Sequence, residues 1–309
     1  MSFDNPNRPA KQEMNRHISE RSEDAFEAIQ LASGTWTLRA LAEGETFHPV
    51  LGAVRESREL YLEQLSLGQR WQQPDLDPLV IWDVGLGAAG NAVAVIRAWQ
   101  EGAERDVELL SFDRHDHALR FALEFQKQEA GAFAELTGFD WEKILAGRGV
   151  EFLQGQRRLR WFWYLQDFPE LLAGDKASAL PPPEVVFYDV YSPAKCWSMW
   201  GLEHWKRMRA VCGQRDCEIV FHSRSTALRV TLLLAGFYVG RGVAVAEKEE
   251  TTVAATRGQL LKRPLNADWL QRVQRSTAAR PFTGESYEQG RISPGDFAQM
   301  AGHSQFAVA

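Results

Sequence analysis

Residues 79–99 read LVIWDVGLGAAGNAVAVIRAW. An apolar run (Leu79, Val80, Ile81, Trp82) leads to Asp83, then Gly85, Gly87 and Gly90 follow. After Asn91 the apolar positions Val93, Val95, Ile96 and Trp99 recur at helical spacing. A buried strand, a tight turn and a helix make the first βα unit of a dinucleotide- or adenosine-binding α/β sheet. Glycine suits the turn on two grounds: the chain must adopt φ > 0, and a ligand must touch main chain with no Cβ in the way. A strand–turn–helix that binds nothing has the same local pattern, so the flanking sequence has to decide.

The chain has 309 residues, 45% of them hydrophobic. It is long enough to bury a large core as one elaborated domain or two small ones. Its net charge of −6 provides no global basic field, so a nucleic-acid partner would have to be held by local patches. No apolar run approaches the ~18–20 residues of a membrane-spanning helix. The first two dozen residues are polar and mixed in charge, unlike a signal peptide, and are expected to be loosely packed. Cys196, Cys212 and Cys217 form no CxxC pair, which points to reduced thiols, a cytoplasmic setting and no zinc site. His115 and His117 flank Asp116 at a helix start without the i, i+4 partner a metal site would use, so no metal is expected.

Outward from the glycine unit, the pattern predicts four regions: a flexible segment over 1–34, a lid or small β-containing subdomain over 35–75, a Rossmann-like domain over 76–257, and a basic extension over 258–309. Alternation over Thr35–Ala40 predicts a strand. Further strands are expected at Val107–Phe112, Val150–Leu153, Val185–Tyr188, Cys217–Phe221 and Val243–Ala246. Thr251–Thr256, rich in β-branched residues, reads as an edge strand. Helices are expected after Asp113, at Phe139–Leu145, and at Thr226–Ala235, where Gly236 stops the last. The class is α/β, a sheet flanked by helices.

Two acids stand at strand ends. Asp113 ends the second strand at the interval where a carboxylate reaches adenosine ribose hydroxyls; equally, it caps the helix that follows. Asp189 ends the strand in EVVFYDVYSPAKCWSMW, residues 184–200. Ligands in open α/β sheets bind off the carboxyl ends of strands, so Asp189 belongs on the rim of Gly85 and Asp113. A carboxylate there can orient an amine nucleophile or take its proton, with Tyr191 as a pocket wall, or it can merely cap the turn. Arg157, Arg158 and Arg160 abut Trp161–Tyr164, a composition that suits phosphates and unpaired bases but also suits core plus rim. Arg257, Lys262, Arg263, Arg272, Arg275 and Arg280 against Asp268 form a local basic excess, either a polyanion contact or a solvated helical face.

These blocks together resemble the S-adenosylmethionine-dependent methyltransferases that finish the 5-methylaminomethyl group of tRNA wobble uridine. That family occurs as the methyltransferase half of the bifunctional enzyme MnmC and as stand-alone relatives. HPVLGAVRES at 48–57, DVGLGAAGN at 83–91, FDRH at 112–115, LRVTLLLAGF at 228–237 and KEET at 248–251 fit its pattern. DVYSPAKCWSMW at 189–200 is the most specific block. It resembles the family's Asp-Gly-Phe-(Ala/Ser)-Pro-x-x-Asn-Pro-x-x-Trp signature, departing from it at Val190 and Cys196-Trp197; Ala89 stands at a loop glycine. The resemblance implies a class I methyltransferase fold and S-adenosylmethionine as cofactor. It implies cofactor contacts from Asp83, Gly85, Gly87, Gly90, Asn91, Asp113 and Glu56, and catalysis by Asp189 and Tyr191. The tRNA anticodon loop would meet Lys195 and Trp200, joined by Arg157, Arg158 and Arg160. Competing readings are a methyltransferase for a small amine and a non-catalytic nucleotide-binding module or NAD-dependent oxidoreductase.

Overall fold

The computed structural model describes residues 25–48, 52–74, 76–147, 149–244 and 250–307. The loosely packed N-terminus expected through residue 24 lies outside the described residues. Strands β1 (Phe26–Gln30), β2 (Trp36–Ala40) and β3 (Glu45–Thr46) form a small antiparallel sheet. Order therefore begins ahead of the boundary expected at residue 35, because β1 pairs along its whole length with β2. Helix α1 (Ala53–Ser57) runs into a π-helical turn, Arg58–Glu63, and then α2 (Leu67–Arg70).

The remaining strands form one sheet. In chain order the elements are β4 (Leu79–Val84), α3 (Gly90–Gln100), β5 (Val107–Asp113), α4 (His117–Gln128), α5 (Trp141–Gly147), β6 (Gly149–Gln154) and β7 (Arg157–Leu165). They continue with α6 (Phe168–Ala173), β8 (Val185–Tyr188), α7 (Leu202–Cys212), β9 (Glu218–Phe221), α8 (Thr226–Leu234), β10 (Tyr238–Arg241), β11 (Thr252–Ala255), α9 (Ala267–Arg275) and α10 (Pro294–Ala301). The strand order is β10-β11-β9-β8-β4-β5-β7-β6, with β9, β8, β4, β5 and β7 mutually parallel. The chain leaves β4 for β5 and β7 on one side, then returns to place β8 on the other. The crevice at that reversal is where such sheets take ligands.

Every residue of β4 is buried, as both faces of a parallel sheet require. Leu79 and Ile81 join the apolar layer that contains α3 and α4, while Val80, Trp82 and Val84 join the opposite layer with α7 and α8. Asp83 follows the same alternation and points towards α3, so its carboxylate lies wholly inside the protein.

Four expectations change. β6 is an antiparallel edge strand, and the arginine–aromatic run is β7, paired in parallel with β5. Trp161 and Trp163 are buried, so the run serves as core plus rim. β11 is not an edge: it lies between β10 and β9, and its four residues are buried, which is why they are small or β-branched. The strand expected at Val243–Ala246 lies earlier, at Tyr238–Arg241, and residues 245 and 246 fall outside the described part. Residues beyond 257 are no appendage. Trp269, Val273, Phe282 and Met300 are buried in the layer that covers Val186, Ile219 and Val239. Several of the basic side chains counted there are engaged locally: Arg257 pairs with Asp216 at 3.1 Å, Arg280 with Glu288 at 2.6 Å, and Lys262 donates to the Gln64 carbonyl at 2.9 Å. Among the described residues no helix is long and apolar enough to cross a membrane, and no group of three potential metal ligands occurs.

Candidate active site

The carboxyl ends of β4, β5 and β8 open into one cavity of about 910 Å³, lined on one side by Phe47 and His48, which follow the small sheet. The turn after β4 turns back through left-handed backbone at Gly85 (φ 103°), Gly87 (φ 51°) and Ala89 (φ 64°). Ala89 therefore occupies a conformation that glycine adopts without strain, and it begins α3 with no side-chain cap. The requirement for glycine at 85 comes from the protein itself. A Cβ there would lie 2.9 Å from the Asp189 carbonyl carbon and closer still to its oxygen, so the β4 turn and the end of β8 touch main chain to main chain. At Gly87 a Cβ would meet the Phe47 ring at 3.4 Å, and at Gly90 it would collide with Ala53 of α1.

Asp113 ends β5 and receives the Gly87 N–H on Oδ2 at 3.1 Å and the Arg114 N–H on Oδ1 at 2.8 Å. Burial pushes its carboxyl up despite these bonds. It does not cap the following helix: α4 starts after Asp116, whose carboxylate is held by Arg120 at 2.8 Å. A carboxylate has about four acceptor positions, so Asp113 keeps capacity for a ligand in the cavity.

Behind the rim runs a connected set of polar side chains. Asp83 accepts from Ser111 on β5 at 2.8 Å and from Asn91 on α3 at 3.3 Å; burial, outweighing both bonds, raises its carboxyl to about 7. The Asn91 amide nitrogen also donates to Asp189 Oδ2 at 3.0 Å, and its carbonyl oxygen takes the Ser57 hydroxyl. Asp189 Oδ2 lies 3.4 Å from His48 Nε2, and His48 Nδ1 lies 3.6 Å from Glu56 Oε2. The other oxygen of Glu56 meets His222 Nε2. Burial works to lower His48, but the Asp189 and Glu56 carboxylates raise it to about 9. Burial works to raise Glu56, but His222 and His48 hold it at about 2.

The acceptor side of the cavity is formed by the loop after β8. Tyr191 stands 5.8 Å from the Phe47 ring, and burial raises its hydroxyl well above the usual phenol range. Glu45 of β3 accepts from the Ser192 N–H at 3.1 Å and from its hydroxyl, tying the small sheet to this loop. Trp200 is buried and donates its indole N–H to the Tyr191 carbonyl at 2.8 Å. It braces the loop and offers no open face for stacking. Lys195 is exposed at the cavity mouth.

Asp113, Asp189, Tyr191, Glu56, Asn91, Gly85, Gly87, Gly90, Lys195 and Trp200 thus line one cavity, with Asp83 buried beneath it. Arg157, Arg158 and Arg160 do not join them. They begin β7, whose Leu159 pairs with Val107 while Leu165 pairs with Asp113, so they lie at the far end of the sheet. There Arg158 pairs with Asp106 at 3.4 Å and Arg160 pairs with Glu108. Sequence reasoning missed His48 and His222. His222 directly follows β9, so the rule that placed Asp189 on the rim applies to it equally. His48 opens the HPVLGAVRES block but carries no local signal of its partners.

Residues 166–257 match the family described as S-adenosyl-L-methionine-dependent methyltransferase. Among curated proteins, the chain is 23% identical over 235 residues to the "tRNA 5-methylaminomethyl-2-thiouridine biosynthesis bifunctional protein MnmC" of Methylibium petroleiphilum. That alignment takes in 73% of this chain and 34% of the relative, so the chain spans about a third of that protein's length. Among solved structures, MnmC2 from Aquifex aeolicus superposes with a TM-score of 0.62 at 21% identity, covering 91% of this chain and 84% of that one.

Proposed function

From the premise that this chain is an MnmC-like S-adenosylmethionine-dependent methyltransferase domain, we propose that it N-methylates the aminomethyl group of a tRNA wobble uridine. One observation carries the reading. The glycine turn that suits the donor and the carboxylate that suits an amine acceptor are in main-chain contact on one cavity, at Gly85 and Asp189.

The residues fit the cofactor. The turn faces the cavity through Gly87, where only an aromatic edge stands near a Cβ position, and the volume lies within the roughly 300–1,000 Å³ usual for such ligands. Asp113 would accept the ribose hydroxyls with its remaining acceptor positions, and Gly85, Gly87 and Gly90 would face the methionine portion. Asp83 and Asn91 would support that turn from beneath, and Glu56 would close the cavity from the side of α1. When bound, S-adenosylmethionine supplies a methyl group on a cationic sulfur, ready for in-line displacement by a neutral nucleophile. Asp189 would accept an N–H of the incoming amine, aim its lone pair and take the proton released after transfer. Tyr191 and Phe47 would flank the acceptor, which enters as an unpaired or flipped nucleobase from the anticodon loop, with Lys195 at the mouth.

A second reading, a small-molecule amine as acceptor, draws support from the arginines of β7, which lie at the opposite end of the sheet in ion pairs. Labelled methyl transfer separates the two. Incubation with S-adenosylmethionine and tRNA bearing the unmethylated aminomethyl group should place label on the wobble uridine. Label on small amines with none on tRNA overturns the tRNA assignment.

A further inference from the structure

We propose that His48 and His222 are positioning residues: they clasp Glu56 between them, and His48 thereby holds the Asp189 carboxylate with one oxygen committed to the protein and the other turned to the acceptor. This rests on the methyl-transfer reading of the cavity for its purpose, though not for its geometry.

The geometry comes from four distant stretches of chain. His48 follows the small sheet, Glu56 belongs to α1, Asp189 ends β8 and His222 follows β9. His48 touches both acids, with Nε2 at 3.4 Å from Asp189 Oδ2 and Nδ1 at 3.6 Å from Glu56 Oε2. His222 takes the other Glu56 oxygen, so the carboxylate that orients His48 is itself fixed from behind. His48 holds this place at φ 42°, left-handed backbone that a side chain adopts only when its surroundings dictate it. Among the described residues the hydrogen bond and ion pair of Asp189 both fall on Oδ2, from Asn91 and His48, which leaves Oδ1 for a ligand.

Charge explains why a histidine stands there. Asp189, Glu56 and Asp83 face the imidazole, Glu135 adds its field from farther away, and His222 lies across Glu56. Burying a carboxylate without a cation beside it favours its neutral form. A protonated carboxyl cannot serve as a pure acceptor for an amine N–H. The imidazolium opposes that penalty, and its raised basicity keeps it charged across neutral pH.

The test compares wild type with His48→Gln and His222→Gln in the full chain. By ¹⁵N NMR, His48 in wild type should stay doubly protonated at pH 7.5, and Asp189→Asn should move its titration down by about one unit or more. In the methyl-transfer assay, His48→Gln should lower kcat about 10- to 100-fold through loss of the buried ion pair with Asp189, with the dissociation constant for adenosylhomocysteine little changed. The fall in wild-type kcat as His48 deprotonates near pH 9 should be missing from His48→Gln. His222→Gln should give a smaller kcat loss in the same direction, and it keeps the question open to experiment should His48→Gln not fold. A His48 titration indifferent to Asp189→Asn overturns the proposal, as do variants with unchanged kcat and pH profile. A coupled His48–Asp189 titration in a protein that methylates no acceptor leaves the clasp standing and removes the methyl-transfer reading.

Discussion

Replacing Gly85 with alanine tests the contact on which the cavity depends. Gly85 sits at φ 103°, where a side chain is strained by roughly 1–2 kcal/mol. The added methyl would also lie 2.9 Å from the Asp189 carbonyl carbon, with the oxygen nearer still. Neither partner is a flexible side-chain end, so the β4 turn and the end of β8 must separate, an overpacking cost of about 1–3 kcal/mol. Together these come to about 2–5 kcal/mol. Because both displaced segments line the cavity, part of it should appear as weakened cofactor binding, with about 30-fold to several-thousand-fold in Kd as the ceiling if all of it did. Calorimetric titration with S-adenosylmethionine and adenosylhomocysteine reads the Kd, and thermal melting reads the remainder as stability. Gly131→Ala is the control: it has a similar φ of 84° but nothing within 4 Å of its Cβ position, so it should lose stability with no change in Kd. A Gly85→Ala protein that binds cofactor as wild type does, with a melting shift like that of Gly131→Ala, would refute the argument.

Asp113→Ala should weaken cofactor binding by about 10- to 100-fold, the scale of one charge-assisted hydrogen bond, while the melting temperature stays within a few degrees; equilibrium binding checks it. Asp189→Ala should cut turnover far more than cofactor affinity, and a fully active variant removes Asp189 from the mechanism. Tyr61 stacks on Phe187 with its ring centroid 4.5 Å away, and its buried hydroxyl has no hydrogen-bond partner among the described residues. Tyr61→Phe should therefore leave stability unchanged or raise it by about 1 kcal/mol in denaturant titration, and a loss of that size would reveal a partner. Stability should also fall as pH rises from 6.5 towards 9. His48 is raised from 6.5 to about 9 in the folded chain, so its contribution of about 3 kcal/mol is complete below the lower value and lost through the upper. Glu56 has the opposite sign: held at about 2, it contributes above the normal carboxylate range and loses that contribution as pH falls towards 2. Melting curves across pH for wild type and His48→Gln check the alkaline limb, which should flatten in the variant.

Much of the framework is local and was therefore legible in the sequence. An apolar run of strand length followed by glycines and a helical period fixes β4 and α3, because each element forms from neighbours in the chain. In a parallel sheet with right-handed crossovers, all strand ends of one sense share a rim, so Asp113 and Asp189 could be placed together without coordinates. The same local reasoning misjudged β11, since β-branched composition marks a strand but not whether its two sides are paired. It left the arginines of β7 open between an RNA contact and core plus rim, because composition does not say which end of a strand they occupy. Tertiary structure alone decided that His48, Glu56 and His222 meet beside Asp189, that Glu45 latches Ser192, and that residues beyond 257 complete the second apolar layer. Those contacts join positions as far apart as 56 and 222. Their strength comes from shared burial and charge compensation, which exist only after the sheet has brought the segments together.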